Sequence, residues 1–499
     1  MNTQPRNIVV IGGVAGGASA AARARRLSET ARIIMVEKGP HVSFANCGLP
    51  YRIGGEIPTS DKLLLQTPES LYSRHRLDVR VLTEAVNIDR ESGEVELLHH
   101  LSGRRYREHY DALVISTGAA PLKPPIPGIE RPGHFTVRNV PDAEAILQWI
   151  ETAQARRAVV VGGGYIGLEA AEQLRHLGLE VSIAEAFPQV MTPLDPEMAE
   201  HLHRELRRND VRLHLGDGVA SFDAPLPEEE AAASTVVLRS GARLPADLVI
   251  LGLGVRPEVS LAREAGLDLG ERGGVRVDEQ MRTSDPRIWA VGDAVEVRDG
   301  VTGKWTLMSL AGPANRQGRI AADAIFGLPT RYRGAWGTAV LRLFGLTAGC
   351  TGAGEKVLVR EGIPYQTVHL HPLSHAGYYP GAHSMALKVL FSPDDGRLLG
   401  AQAVGADGVD KRIDVLATAL QAGMSVSDLT DLDLAYAPPF GSARDPVNMA
   451  GMIADNLLGG LSNQKQWNEV EEAVAAGAQL LDVRDTTERK RDGMIPDSI

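Results

Sequence analysis

Cysteine is nearly absent: Cys47 and Cys350 are the only two among 499 residues, which excludes a disulfide-stapled secreted scaffold. Positive charge is also in deficit. A formal net charge of −11 repels phosphate and disfavours nucleic acid or anionic membrane as a partner. No apolar run approaches the roughly 18–20 residues of a membrane span. The N-terminal MNTQPRNIVVIGG lacks the charged-then-apolar layout of a signal peptide. These absences predict a soluble, cytoplasmic protein. The length allows about three domains of ordinary size. With 43% hydrophobic and 23% charged residues, the chain reads as globular rather than disordered or fibrous. Glycine, by contrast, is plentiful at 53 residues, and its placement carries the first positive signal.

Two segments share one design. NIVVIGGVAGG (7–17) leads into an alanine-rich stretch and then RIIMVEKG; AVVVGGGYIG (158–167) leads into LEAAEQLRHLG and then EVSIAEA. Each reads as a strand, a glycine turn, a helix and a second strand closed by an acid, Glu37 or Glu185. Glycines at such a turn let the backbone approach a pyrophosphate on the helix N-terminus, and the acid can accept ribose hydroxyls. Gly162, Gly164 and Gly167 complete G-x-G-x-x-G; in the first copy Gly12 and Gly17 stand at the outer positions but Val14 replaces the middle glycine. One copy could be an ordinary tight turn. Two copies predict two dinucleotides.

Further along, DALVISTGA (111–119) and DLVILGLGVRP (247–257) read as strand-to-loop crossings between nucleotide folds. TSDPRIWAVGDA (283–294) reads as a strand, then Gly292-Asp293 and a helical stretch. From about residue 330, HSMALKVLF, LLGAQAVG and IDVLATALQAG predict an α+β domain.

The duplicated units with STGA and AVGDA resemble the flavin-dependent pyridine nucleotide–disulfide oxidoreductases over about residues 7–450. The resemblance implies an α/β protein with two Rossmann-like nucleotide-binding domains and an α+β dimerisation domain. Residues 1–119 with 248–328 would bind FAD, 120–247 would bind NAD(P)H, and 329–455 would dimerise, followed by a linker at 456–466. FAD would fall on Gly12, Gly13, Ala15, Gly16, Gly17, Glu37 and Asp293, the nicotinamide nucleotide on Gly162, Gly164, Tyr165, Ile166, Gly167 and Glu185. Lys38, Thr117, Gly118, Gly254 and Gly292 would add cofactor contacts. The acid at Glu185 favours NADH over NADPH, because a 2′-phosphate there would meet like charge.

Cys47 decides the branch. In SFANCGLPYRIGG, Arg52 stands where two-cysteine relatives carry a second cysteine, so this motif cannot close on itself. With Pro50 at a possible helix start, the thiol is expected at a helix N-terminus with its pKa lowered. Flavin peroxidases and oxidases of the family carry a histidine in the first glycine turn; the matching residue is Ala15. GGVAGGASAAARARR, SFANCGLPY, HAGYYPG and LAYAPPF resemble the coenzyme A-disulfide reductase branch. That resemblance implies a mixed disulfide between Cys47 and coenzyme A, in a homodimer whose partner subunit supplies Tyr378 and Tyr436. Arg23, Arg26, Ser43, Asn46, Arg74 and the partner's Arg444 would hold coenzyme A, with His75 replacing a lysine common in relatives. Cys350 is expected as a buried strand cysteine, Arg25 as a solvated charge and Tyr379 as a core aromatic. An NADH oxidase or peroxidase using a cysteine sulfenic acid, and a non-catalytic flavoprotein sensor, stand as alternatives.

QLLDVRDTTERKRDGMIPDSI (479–499) resembles the opening of a rhodanese domain, a strand ending in DVR followed by G-x-I-P. No cysteine follows Cys350, so the loop that would carry a persulfide is missing, and 467–499 reads as a truncated rhodanese domain. The resemblance adds coenzyme A persulfide and polysulfide as acceptors beside the disulfide.

Overall fold

The structure, a computed structural model, describes residues 5–225 and 233–499, so the first four residues of the N-terminal reading lie outside it. Apolar β-branched runs make the strands. Ile8 to Ile11 and Val159 to Val161 are almost wholly buried, as parallel strands covered on both faces must be. The first sheet is fully parallel, in the order Ile288–Ala290, Ala112–Ile115, Asn7–Ile11, Arg32–Val36, Asp78–Arg80. Its edge strand Ile288–Ala290 arrives only after the second nucleotide unit. The first sheet is therefore assembled from two separate stretches of chain.

The second sheet is parallel too, in the order Arg212–Leu215, Glu180–Glu185, Arg157–Val161, Leu248–Leu251, His134–Phe135. Between the units the chain crosses twice, and the crossings Ala119–Pro121 and Val255–Pro257 pair antiparallel. The helices Ala15–Leu27 and Ala311–Ile325 pack closely because their contact is built of small residues. A Cβ at Gly318 would strike the Gly16 carbonyl. The third sheet is antiparallel, in the order Ala339–Leu343, Leu346–Gly352, Leu398–Gly405, Met385–Phe391, Gln366–Leu370. Helices Val409–Ala422 and Pro446–Leu458 complete this domain, the latter running slightly past the expected linker start. Among the described residues, no helix is long and apolar enough to cross a membrane.

A buried ionic knot ties the second unit to the third. Lys388, fully buried on strand Met385–Phe391, places Nζ 2.8 Å from Asp195, 2.5 Å from Glu197 and 2.5 Å from Glu355.

Two local expectations fail. After Ile288–Ala290 the AVGDA segment makes only one 3-10 turn, Gly292–Ala294, and then a strand, Val295–Arg298. Pairing of that strand with Val275–Arg276 and Trp305–Leu307 overrides the helical reading. In the tail, the DVR segment is not a strand. Its backbone makes one exchange, Asp482 N–H to the Ile499 carbonyl and Ile499 N–H to the Leu480 carbonyl, and Leu481 and Val483 stay exposed. Without flanking strands a β segment has nothing to cover its apolar side chains, and residues 467–499 contain only short helical turns. No rhodanese domain is seen in them.

Candidate active site

The two glycine turns are built alike. Gly12 has φ +96° and Gly162 φ +104°, a region open mainly to glycine. A Cβ at either would collide with a backbone carbonyl, of Ser116 or Gly252, and Cβ atoms at Gly17 and Gly167 would collide with the carbonyls of Gly12 and Gly162. The middle position differs. A Cβ at Gly164 meets nothing within 4 Å, and Val14 sits at φ −102°, so valine there adds no backbone strain. Gly12→Ala should therefore lower stability by about 3 kcal/mol in thermal unfolding, and Gly164→Ala by less than about 1 kcal/mol; equal losses would refute the distinction.

Both closing acids brace their own turns. Glu37 accepts the N–H of Gly13 at 3.0 Å and of Gly39 at 2.8 Å. Glu185, buried, accepts the N–H of Gly163 at 2.6 Å and of Phe187 at 2.9 Å. These bonds fix each acid beside the helix N-terminus where a dinucleotide would lie.

A cavity of about 610 Å³ runs from the first turn to Cys47. Gly12, Ala15, Gly16, Glu37, Lys38, Thr117, Gly118, Gly292 and Asp293 line it together with Asn46 and Cys47. Gly13 and Gly17 do not line it; their part is the geometry of the turn. The glycine cradle and the N-terminus of Ala15–Leu27 suit FAD, with Asp293 buried enough to be pushed up to about 6, against the pull of Arg138. Arg138 also lines the cavity. It was not foreseen, because it comes from the other nucleotide domain. On the second unit, Ile166 is exposed, Gly254 has φ +92°, and the half-buried Tyr165 places its hydroxyl 3.8 Å from the Cys350 sulfur.

Cys47 sits in a one-turn 3-10 helix, Asn46–Gly48, before the short helix Leu49–Ile53 that holds Pro50 in its first turn. Its N–H donates to Asn46 Oδ1 at 3.1 Å, and its sulfur is exposed to the cavity. Cys350 is the buried strand cysteine expected. The protonation of Cys47 differs from expectation. Its pKa is raised, first by the desolvating walls and then by the Glu169 and Asp293 carboxylates, against weak help from its own backbone N–H. A five-residue helix offers little dipole, and acids rather than cations dominate the field at the sulfur.

Glu169 was missed from sequence. It lies on helix Tyr165–His176, and Tyr51, four residues after Cys47, donates its hydroxyl to Glu169 Oε1 at 3.1 Å. Burial pushes Glu169 up to about 7, helped by Glu172 and opposed by Tyr51 and Arg342. Its only sequence signal is the i,i+4 spacing from Tyr165, which says nothing of a partner on another helix.

The residues expected to hold coenzyme A divide. Arg26 and Arg74 are exposed; the pKa of His75 is lowered by burial first and then by the charges of Arg26, Arg74 and Arg25. Arg23 is instead paired with Asp323 at 2.5 Å. Arg25 is buried, not solvated: it donates to the carbonyls of His75, Ser28 and Arg76 at 2.8, 2.9 and 3.1 Å, satisfying the end of helix Pro68–His75. Ser43 takes φ +47° and donates its N–H to the Gly13 carbonyl at 2.7 Å. On the third domain, the Tyr378 and Tyr436 hydroxyls lie 3.1 Å apart, both rings are exposed, and neither lines the Cys47 cavity. Tyr379 is no core aromatic either; it is 43% exposed, edge-on to His375. Arg444 is exposed before helix Pro446–Leu458.

Residues 6–318 match the family described as pyridine nucleotide-disulphide oxidoreductase. The chain belongs to this family. Residues 339–446 match the dimerisation domain of the pyridine nucleotide-disulphide oxidoreductases, which supports an oligomer. The chain is thus an oxidoreductase of an FAD- and NAD(P)H-using family. It is 33% identical to an NADH oxidase of Methanocaldococcus jannaschii, covering 91% of this chain and 99% of that protein. It is 32% identical to a coenzyme A disulfide reductase of Staphylococcus epidermidis, covering 90% and 99%. Among solved structures, reduced Bacillus anthracis CoADR-RHD superimposes with TM-score 0.95 at 50% identity, covering 99% of this chain and 88% of that one. An NAD-dependent persulfide reductase from A. fulgidus gives 0.93 at 38%, covering 99% and 90%.

Proposed function

We propose that this oxidoreductase uses NADH or NADPH to reduce coenzyme A disulfide, coenzyme A persulfide or polysulfide through Cys47. One observation carries the reading: Cys47 is an exposed thiol opening into the glycine-lined cavity, while the other cysteine is buried in a strand. The names of the Staphylococcus and A. fulgidus proteins agree with it. The division into 1–119 with 248–328, 120–247, 329–455 and a linker at 456–466 is part of the same reading.

Cys47 thiolate attacks a sulfur of the acceptor: coenzyme A disulfide gives Cys47–S–S–CoA and releases coenzyme A thiolate, coenzyme A persulfide attacked at its carrier-bound sulfur gives the same adduct and releases hydrosulfide, and polysulfide gives a Cys47 persulfide and a shortened polysulfide anion. When bound, FAD supplies the two electrons, taken from the reduced nicotinamide, that split this mixed disulfide into Cys47 thiolate and coenzyme A thiolate. Tyr378 and Tyr436 from the partner subunit protonate the departing thiolates. Arg26 and Arg74, with Ser43, Asn46 and the partner's Arg444, bind the anionic carrier, and Arg23 joins them by leaving Asp323. Residues 479–499 are read as the opening of a rhodanese-type segment whose sulfur-carrying loop is not among these residues. A cytoplasmic setting fits two unpaired cysteines.

The test is anaerobic NADH oxidation with coenzyme A disulfide, coenzyme A persulfide, polysulfide and peroxide in parallel. The M. jannaschii relative favours an oxidase as the second reading, and Ala15 in place of a histidine speaks against it. Turnover of peroxide matching that of the sulfur acceptors, or of oxygen in a parallel aerobic run, would establish the oxidase or peroxidase; fast flavin reduction with no acceptor turned over would establish the sensor. Tyr436→Phe should slow acceptor turnover by about 10²-fold while flavin reduction by NADH is unchanged, as stopped-flow absorbance would record.

A further inference from the structure

Helix Leu49–Ile53, which carries on from the Cys47 turn, has only five residues, far too few to hold itself. Its surroundings hold it instead. Leu49 and Ile53, each 1% exposed, sink into one apolar cluster with Ile146 of helix Val140–Thr152 and with Leu168 and Leu174 of helix Tyr165–His176. Polar bonds to the same two helices fix its rotation. Arg52, standing where a second cysteine would be, places Nη2 2.9 Å and Nε 3.0 Å from one Glu144 oxygen, with Nε also 3.1 Å from Ser60 Oγ. Tyr51 donates its hydroxyl to Glu169 at 3.1 Å, and the Gln173 amide donates to Glu56, just past the helix, at 2.9 Å. Arg342 closes that side from strand Ala339–Leu343, bonded to Glu56 and 5.2 Å from the Tyr51 ring centre. Glu169 and Gln173 stand one and two turns beyond Tyr165, the first helical residue after the Gly162–Gly164 turn. The helix whose N-terminus would carry the second dinucleotide is therefore the helix that grips the Cys47 segment.

We infer that Tyr51 and Arg52 are positioning residues that lock the Cys47 turn to the helices of the second nucleotide unit, so that a nicotinamide nucleotide seated on the second glycine turn restrains the thiol through helix Tyr165–His176. A nucleotide bound at that turn limits how far the helix can shift. The bonds at Glu169 and Gln173 pass the restraint to Tyr51 and Glu56, and the Arg52–Glu144 pair keeps the short helix from pivoting on its far side. With both apolar anchors and all three polar bonds pointing into one unit, the segment has no slack of its own and follows what it is bonded to. A single element shared by two sites is the physical basis for coupling between them, ordinarily about fivefold or more. The inference rests on Cys47 being the attacking sulfur.

The experiment is alkylation of Cys47 by iodoacetamide in the FAD-loaded, pre-reduced and desalted enzyme, at one pH, with and without saturating NAD+, read by mass of the Cys47 peptide. NAD+ occupies the second turn without delivering electrons. It should slow alkylation of the parent about fivefold or more. Tyr51→Phe, which removes the bond to Glu169, and Arg52→Gln, which removes the ion pair with Glu144, should each at least halve that effect, and the double variant should abolish it. Arg52→Lys, which keeps a charge facing Glu144, should retain most of it. An NAD+ effect of parental size in the double variant overturns the inference, because the nucleotide would then be shielding the thiol directly. So does a parent indifferent to NAD+. If the double variant does not keep its flavin, the single variants decide: an effect at least halved in both supports the inference, and an effect unchanged in either overturns it. This readout needs no turnover, so a failure of the proposed reaction would show separately, as acceptor reduction that survives loss of Cys47.

Discussion

Cys47→Ser leaves the reduction of bound flavin by NADH intact and lowers turnover of coenzyme A disulfide by about 10³-fold or more. The two half-reactions use different parts of the molecule. The glycine turns, Glu37 and Glu185 are built from backbone and carboxylates that the substitution does not touch. A serine hydroxyl at position 47 cannot exchange with a disulfide, because only sulfur forms the mixed intermediate. Cys350 cannot substitute: it is buried in its strand, and burial raises its pKa further. Stopped-flow spectra would separate the steps, with flavin bleaching by NADH at the parent rate and no reoxidation by acceptor. Mass spectrometry of the unreduced parent should find coenzyme A on Cys47 and nothing on the variant. Retained acceptor turnover in Cys47→Ser would remove this residue from the chemistry.

Lys388→Met should cost about 3–5 kcal/mol of stability at neutral pH, the usual result of stripping one partner from a buried ion pair. The ammonium is fully buried and lies within 2.8 Å of three carboxylates. Asp195 is tied further to Gln402 at 2.7 Å and to the Glu355 N–H at 3.0 Å, and Glu197 to His369 at 3.2 Å, so the acids cannot swing out to water without breaking their other bonds. Methionine matches the lysine stem and leaves the charges unanswered.

The pH dependence has a definite sign. In the parent, bonds to His369 and Lys388 and the Lys388 charge outweigh burial and hold Glu197 down to about 2 from the ordinary 4.5. Its stabilising share is therefore full above 4.5 and is lost as pH falls toward 2. Asp195, more deeply buried and facing two other acids, is raised instead, so its share runs the opposite way. In Lys388→Met all three acids move toward the neutral form, and the gap between parent and variant should narrow from pH 7 to pH 5. Urea unfolding at the two pH values measures this; identical midpoints at pH 7 would show that the knot contributes nothing. Since Asp195 and Glu197 belong to the second unit and Lys388 to the third, loosening between these domains should precede global unfolding in hydrogen exchange.

Much of the frame was legible in the sequence because it rests on short-range sterics. Gly12, Gly17, Gly162 and Gly167 announce their turns since their own φ angles and nearby carbonyls exclude a side chain. The acids Glu37 and Glu185 close strands whose apolar runs fix where they end. Arg52 in the place of a second cysteine is likewise a local fact, and it alone separates a lone-thiol site from a two-cysteine one. The middle position tolerates a side chain, so Val14 is a departure from the motif that leaves the turn intact.

What the tertiary structure alone decided is where charge rests. Cys47 sits where a helix N-terminus should have lowered its pKa, yet burial first, and then carboxylates from other parts of the chain, raise it. Tyr51 meets Glu169 from 118 residues away, and Lys388 meets Glu197 from 191. Arg25, alike in sequence to Arg23 and Arg26, is the one turned inward. A turn is fixed by the atoms next to it, and those are written in order along the chain. A protonation state is the sum of fields from groups that only folding gathers, and no local spacing records them.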